Sequence, residues 1–113
     1  MPEAQQLPPL DSLEIKKDRF SKSRGGKSKV LTITCTGCNE VAGLYQKDGP
    51  GTLVRCYKDR FLFPESLQAL KDLVCGKCGQ LLGSDMIYEP ESRPAFRLIR
   101  GKYQQQGYKK TTT

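Results

Sequence analysis

The sequence predicts a mainly β fold, built of small antiparallel sheets drawn together by a cysteine staple. Three observations predict it. Cysteines fall in two C-x-x-C pairs, Cys35/Cys38 and Cys75/Cys78. Short runs rich in β-branched and aromatic residues alternate with Gly, Pro and Asp clusters, the punctuation of strands and turns. The apolar share is only 36% of 113 residues, with no Trp, so one thin-cored domain is expected and a core that thin needs a staple.

The elements follow in order. Residues 1–29 hold few large apolar groups and read as a flexible, basic N-terminal tail. A zinc-binding domain is expected over 30–103, and a C-terminal tail over 104–113. Val30-Leu31-Thr32-Ile33-Thr34 reads as a strand running straight into the first cysteine pair. Asp48-Gly49-Pro50-Gly51 lies between 42–47 and 52–58 and predicts a hairpin of those two arms. Pro64-Glu65-Ser66 is a helix-start signal, and Leu67, Leu70 and Val74 recur at helical spacing, so one short helix is expected near 65–73. Strands are expected near 80–82, 85–89 and 95–100, with 90–94 as a turn.

The cysteines carry the strongest chemical signal. Zinc takes four soft ligands at tetrahedral corners, and each C-x-x-C supplies two because its tight turn brings both sulfurs to one point. Each pair contains a Gly and is followed by Asn39 or Gly79, residues that tolerate left-handed backbone. With no His in the chain, the site is all-thiolate: Cys35, Cys38, Cys75 and Cys78 on one zinc ion. Iron would accept the same four thiolates. Such a structural metal contributes on the order of 10 kcal/mol, enough to decide whether a small core folds. Redox-active pairs are the competing reading, but those place a single C-x-x-C at a helix start, and here both follow β-like segments. The fifth cysteine, Cys56, reads as a small buried apolar residue or, alternatively, a reactive thiol. An odd cysteine count and no apolar leading segment point to a reducing, cytoplasmic setting, and no run is long enough to span a bilayer.

Charge is unevenly placed. The net +7 divides as −3 over 1–15, +6 over 16–29, +1 over 30–100 and +3 over 101–113. The candidate nucleic-acid contacts are therefore the tail cations Lys16, Lys17, Arg19, Lys22, Arg24, Lys27, Lys29, Lys102, Lys109 and Lys110. Gly25-Gly26-Lys27-Ser28 resembles the end of a phosphate-binding loop but has Ser21 where that motif needs Gly. Arg55, Lys58 and Arg60, and Arg93, Arg97 and Arg100, form two trios that read equally as basic patches or as salt-bridged surface. Phe61, Phe63 and Phe96 are expected in the core. Tyr103 and Tyr108, set among Lys and Gln, are expected as contact residues.

The segment Cys75-Gly76-Lys77-Cys78-Gly79-Gln80, then Gly83, Met86, Ile87 and Tyr88, then Pro94-Ala95-Phe96-Arg97-Leu98-Ile99, resembles the second knuckle and paired strands of the C-terminal RNA-binding domain of antiviral helicase receptors. With 36 residues between Cys38 and Cys75, the layout resembles the β-tent fold, which those domains share with Yippee-like domains and the cereblon ligand-binding domain. The fold class is accordingly a β-tent or enlarged zinc ribbon. The chain lacks the Trp residues of the cereblon-type cage and the active-site His of B-type methionine sulfoxide reductases.

The function expected is a non-enzymatic zinc-binding module that contacts structured RNA, within a ribonucleoprotein such as the ribosome. The alternative is an adaptor holding a peptide, small ligand or protein partner in a β-tent groove. An enzyme using Cys56 or a redox pair would need an activating base, and the chain has no His to serve.

Overall fold

The computed structural model describes residues 7, 8, 13, 15, 28–48, 53 and 55–108. Its strands are β1 (Ser28–Cys35), β2 (Val41–Asp48), β3 (Arg55–Tyr57), β4 (Phe61–Phe63), β5 (Leu73–Val74), β6 (Leu81–Tyr88), β7 (Arg93–Leu98) and β8 (Tyr103–Gly107). They form two antiparallel four-stranded sheets, ordered β4-β2-β1-β8 and β3-β7-β6-β5. The mainly β architecture expected from the cysteine spacing and the short strands is the one observed.

β1 is buried from Val30 through Ile33 and again at Cys35 because both faces of its sheet are covered there. Leu31, Ile33 and Cys35 enter the principal core with Tyr45, Leu53, Cys56, Phe61, Leu67, Leu73, Cys75, Leu82 and Phe96. Val30, on the opposite face, packs with Leu44 and Tyr108, against which Leu7, Leu13, Leu62 and Phe63 are laid. The principal core lies between the sheets and is locked by edge-to-face contacts of Phe61 with Tyr45 at 5.1 Å and with Phe96 at 5.8 Å. The Tyr57 backbone N–H donates to the Tyr45 hydroxyl at 2.8 Å, tying β3 of one sheet to β2 of the other.

Several expectations change. The arms flanking 48–51 do not pair: β2 lies between β1 and β4, whereas β3 joins β7, with Cys56 opposite Phe96. The helical segment is a five-residue 3-10 turn, Glu65–Ala69, and the chain is extended again at Leu70, which frees Leu73 and Val74 to form β5. One strand, β6, replaces two expected pieces. The strands also reach past 30–103 at both ends. β1 begins at Ser28, β8 runs through Gly107 paired with β1, and the Tyr108 N–H donates to the Val30 carbonyl. Tyr103 and Tyr108 are therefore packing residues. Tyr103 lies against the principal core and donates its hydroxyl to the Leu53 carbonyl, and the Tyr108 hydroxyl donates to the Pro8 carbonyl. Phe61 and Phe96 are fully buried as expected, while Phe63 serves the smaller cluster.

The two arginine-rich trios divide by partner. Arg60, wholly buried, bonds Asp48 at 2.8 Å, and Asp48 also accepts from Ser28 and Gln46. Arg93 pairs with Asp59 and Glu91, with its guanidinium 3.8 Å from the centre of the Tyr57 ring, and Lys58 pairs with Asp85. Arg55 and Arg97 are instead opposite one another in the register. No helix among the described residues is long and apolar enough to cross a membrane.

A candidate metal centre

Each cysteine pair sits in a turn leaving a strand, and the two turns repeat one hydrogen-bond pattern. In the first, the Cys35 N–H donates to the Glu40 carbonyl, and the Asn39 N–H donates to the Cys35 carbonyl. In the second, the Cys75 N–H donates to the Gln80 carbonyl, and the Gly79 N–H to the Cys75 carbonyl. Closing that loop requires positive φ at the residue after the second sulfur, and Asn39 adopts 62° and Gly79 82°. The tight turn also aims backbone N–H groups at sulfur: Gly37 N–H to Cys35 Sγ at 3.3 Å and Lys77 N–H to Cys75 Sγ at 3.4 Å.

The four Sγ atoms of Cys35, Cys38, Cys75 and Cys78 lie within 4.8 Å of one another. Cys35 and Cys78 approach to 3.6 Å, as do Cys38 and Cys75. Four sulfurs at ~2.3 Å from a tetrahedral metal stand ~3.8 Å apart, so the spacing fits one such ion. The expected ligand set is brought together in full, and these residues could hold a metal in a closed, four-thiolate site. One ion held by all four thiolates would have a closed coordination shell and would join the two cysteine turns, one from each sheet.

Electrostatics agrees with that role. On Cys38 the Glu40 backbone N–H lowers the thiol pKa, but burial and the three neighbouring cysteines outweigh it and push it up to about 12. Burial acts to raise Cys75, whereas the backbone N–H groups of Cys78 and Lys77, together with Cys38 and Cys35, bring it down to about 7. Four thiolates this close repel, and a cation among them removes the conflict.

A further set of contacts clamps the centre. Thr36 donates its N–H to the Lys102 carbonyl at 3.1 Å and its hydroxyl to the Gly101 carbonyl at 2.9 Å. The Gln80 side-chain amide reaches both Thr36 Oγ1, at 3.3 Å, and the Lys102 carbonyl, at 3.2 Å. One loop, between β7 and β8, thus holds both cysteine turns in place. Sequence reading missed Thr36 and Gln80, because their partners lie 44 and 65 positions away and leave no local pattern.

Of the candidate nucleic-acid contacts, Lys29 is exposed on β1 and Lys102 is exposed in the clamping loop. Lys16, Lys17, Arg19, Lys22, Arg24, Lys27, Lys109 and Lys110 lie outside the described residues. Cys56 is fully buried, and burial raises its thiol pKa far above the ordinary value, the state of a packing residue rather than a nucleophile. Compared with models of protein families, with curated proteins and with solved structures, the chain matches none.

Proposed function

We propose that this chain is a non-enzymatic module, stapled by one zinc ion, that contacts structured RNA, as in a ribonucleoprotein. The observation that carries the reading is the separation of charge. Residues 16–29 bear +6, whereas within the domain Asp48, Asp59, Asp85 and Glu91 are taken up by Arg60, Arg93 and Lys58. Excess cations concentrated apart from a domain whose charge nearly balances are what phosphate neutralisation with counterion release requires. The all-thiolate donor set suits zinc in a structural role. The closed metal set and the deeply buried Cys56 offer no nucleophile or open coordination site, which favours binding over catalysis.

The test is fluorescence anisotropy with a structured RNA over a salt series. Replacing Lys16, Lys17, Arg19, Lys22, Arg24 and Lys27 by Gln keeps the chain length and the packing of Leu7 and Leu13. It should weaken binding at least tenfold and flatten the salt slope. Equal affinity for both proteins would refute the reading.

A second reading, an adaptor for a peptide, has one supporting observation. β8 is an edge strand bordered by an open groove lined by Arg100, Gly101, Tyr103 and Gln104 to Gln106. An exposed edge can take an added strand. That reading predicts partner capture insensitive to salt and to the tail substitutions.

A further inference from the structure

Successive residues of a strand face opposite sides of its sheet, and residues opposite in register share a face. Cys56 and its partner Phe96 turn into the core. Arg55, Arg97 and Ser84, aligned across β3, β7 and β6, therefore lie in one row on the outer side. The next rows on that side are Tyr57, Ala95 and Met86, then Arg93 and Tyr88; Tyr57, Ala95 and Arg93 are buried, so the accessible part of the face is its Arg55, Arg97 and Ser84 end.

Two arginines directly opposite on neighbouring strands repel one another, an arrangement that costs stability in the free protein. Arg97 is exposed and Arg55 half-buried, and among the described residues neither forms an ion pair with a carboxylate. Arg55 is nevertheless held in place, its guanidinium 4.3 Å from the centre of the Tyr88 ring, and Tyr88 is braced edge-on by Tyr57 at 5.7 Å. The carboxylates Asp59 and Glu91 at the far end of this face are engaged by Arg93. One guanidinium held in place, with a second arginine and a serine opposite in register and no carboxylate paired to either arginine among the described residues, fits an anion that spans adjacent strands. The rings here are already capped, Tyr88 by Arg55 and the buried Tyr57 by Arg93, so the surface offers planar donors to a backbone rather than a stack to bases, and with the RNA reading above those donors favour phosphates over a carboxylate side chain.

We propose that the Arg55–Arg97 end of this face binds a single-stranded stretch of such an RNA, with Arg55 and Arg97 neutralising adjacent phosphates and Tyr88 holding Arg55 in place. This rests on the RNA reading above and names a contact surface on the domain, separate from the tail. Ser84 donates a hydrogen bond to the same backbone.

The experiment uses the full chain and a short fluorescein-labelled oligouridylate, titrated between ~50 and ~200 mM salt. The Arg55→Ala/Arg97→Ala protein should bind at least tenfold more weakly, with a salt slope shallower by about 1.4, the share of two single-strand phosphates. Arg97→Glu separates loss of binding from loss of folding. It replaces repulsion with a cross-strand ion pair, so its Tm should rise by a few degrees while binding is lost. Unchanged affinity in the double variant overturns the proposal, as does loss of binding by Arg97→Glu accompanied by a lower Tm. Preference of the wild-type protein for an oligoglutamate peptide over the oligouridylate, abolished by the same substitutions, also overturns it. The tail-substituted protein judges the RNA reading independently: if it alone loses RNA, that reading stands and this surface falls.

Discussion

Asn39 and Gly79 do the same job at corresponding places, and the difference between them is informative. Both adopt positive φ to close a cysteine turn, one with a side chain and one without. That requirement was legible in the sequence, because Asn and Gly are the residue types that enter this region at low cost. The role of Gly43 was not. A Cβ there would stand 2.7 Å from Leu67 Cδ1 and 3.1 Å from the Phe63 carbonyl oxygen, so it would push Leu67 aside and crowd the β4 backbone. Gly43→Ala should cost about 1–3 kcal/mol by overpacking, read as a lower urea midpoint at unchanged slope. Asp48 makes a different prediction. Burial raises its pKa, but hydrogen bonds from Ser28, Gln46 and Arg60 and the Arg60 charge outweigh that and hold it below the ordinary 3.8. Its contribution is therefore complete above the unfolded value and is lost as pH falls through the lower folded one. Stability of the wild-type protein should fall more steeply with acid below ~pH 4 than that of Asp48→Asn, compared by urea titration at each pH.

Among the elements, β1 and the cysteine turns were readable because their signals are local: a β-branched run, then C-x-x-C with a left-handed residue after it. The pairing partner of β3 was misassigned for the opposite reason. The Asp-Gly-Pro-Gly cluster is a strong turn signal, yet nothing within a few residues says that the strand after it crosses to the other sheet and pairs with β7. The 3-10 turn deceived because the i, i+3 spacing of Leu67 and Leu70 suits either helix type. β8 was hidden by composition. Its Gln104, Gln105 and Gln106 side chains are exposed, so an edge strand of this sheet carries no apolar signature. Its structural weight falls on the flanking tyrosines. Tyr108→Ala should cost about 3 kcal/mol, whereas Tyr108→Phe, which removes only the hydrogen bond to Pro8, should cost about 1 kcal/mol. Were Tyr108 a contact residue on a free tail, neither substitution would move the unfolding midpoint.

At the scale of the molecule, two sheets of short strands share one modest principal core, and one cysteine turn from each sheet meets the other. One turn follows β1 in the first sheet and its counterpart lies between β5 and β6 in the second, so a shared ion would bind the sheets to each other. The clamp of Thr36, Gln80 and the Lys102 carbonyl holds the ligands near their bound geometry but does not neutralise four thiolates. The fold should therefore depend on metal, and acid that protonates the cysteines should release it. The measurement that tests this most directly is metal content of protein purified under reducing conditions, followed by thermal unfolding with and without a strong chelator. One zinc per chain and loss of cooperative unfolding on chelation is the predicted result. A metal-free protein that still unfolds cooperatively at the same temperature would contradict the account.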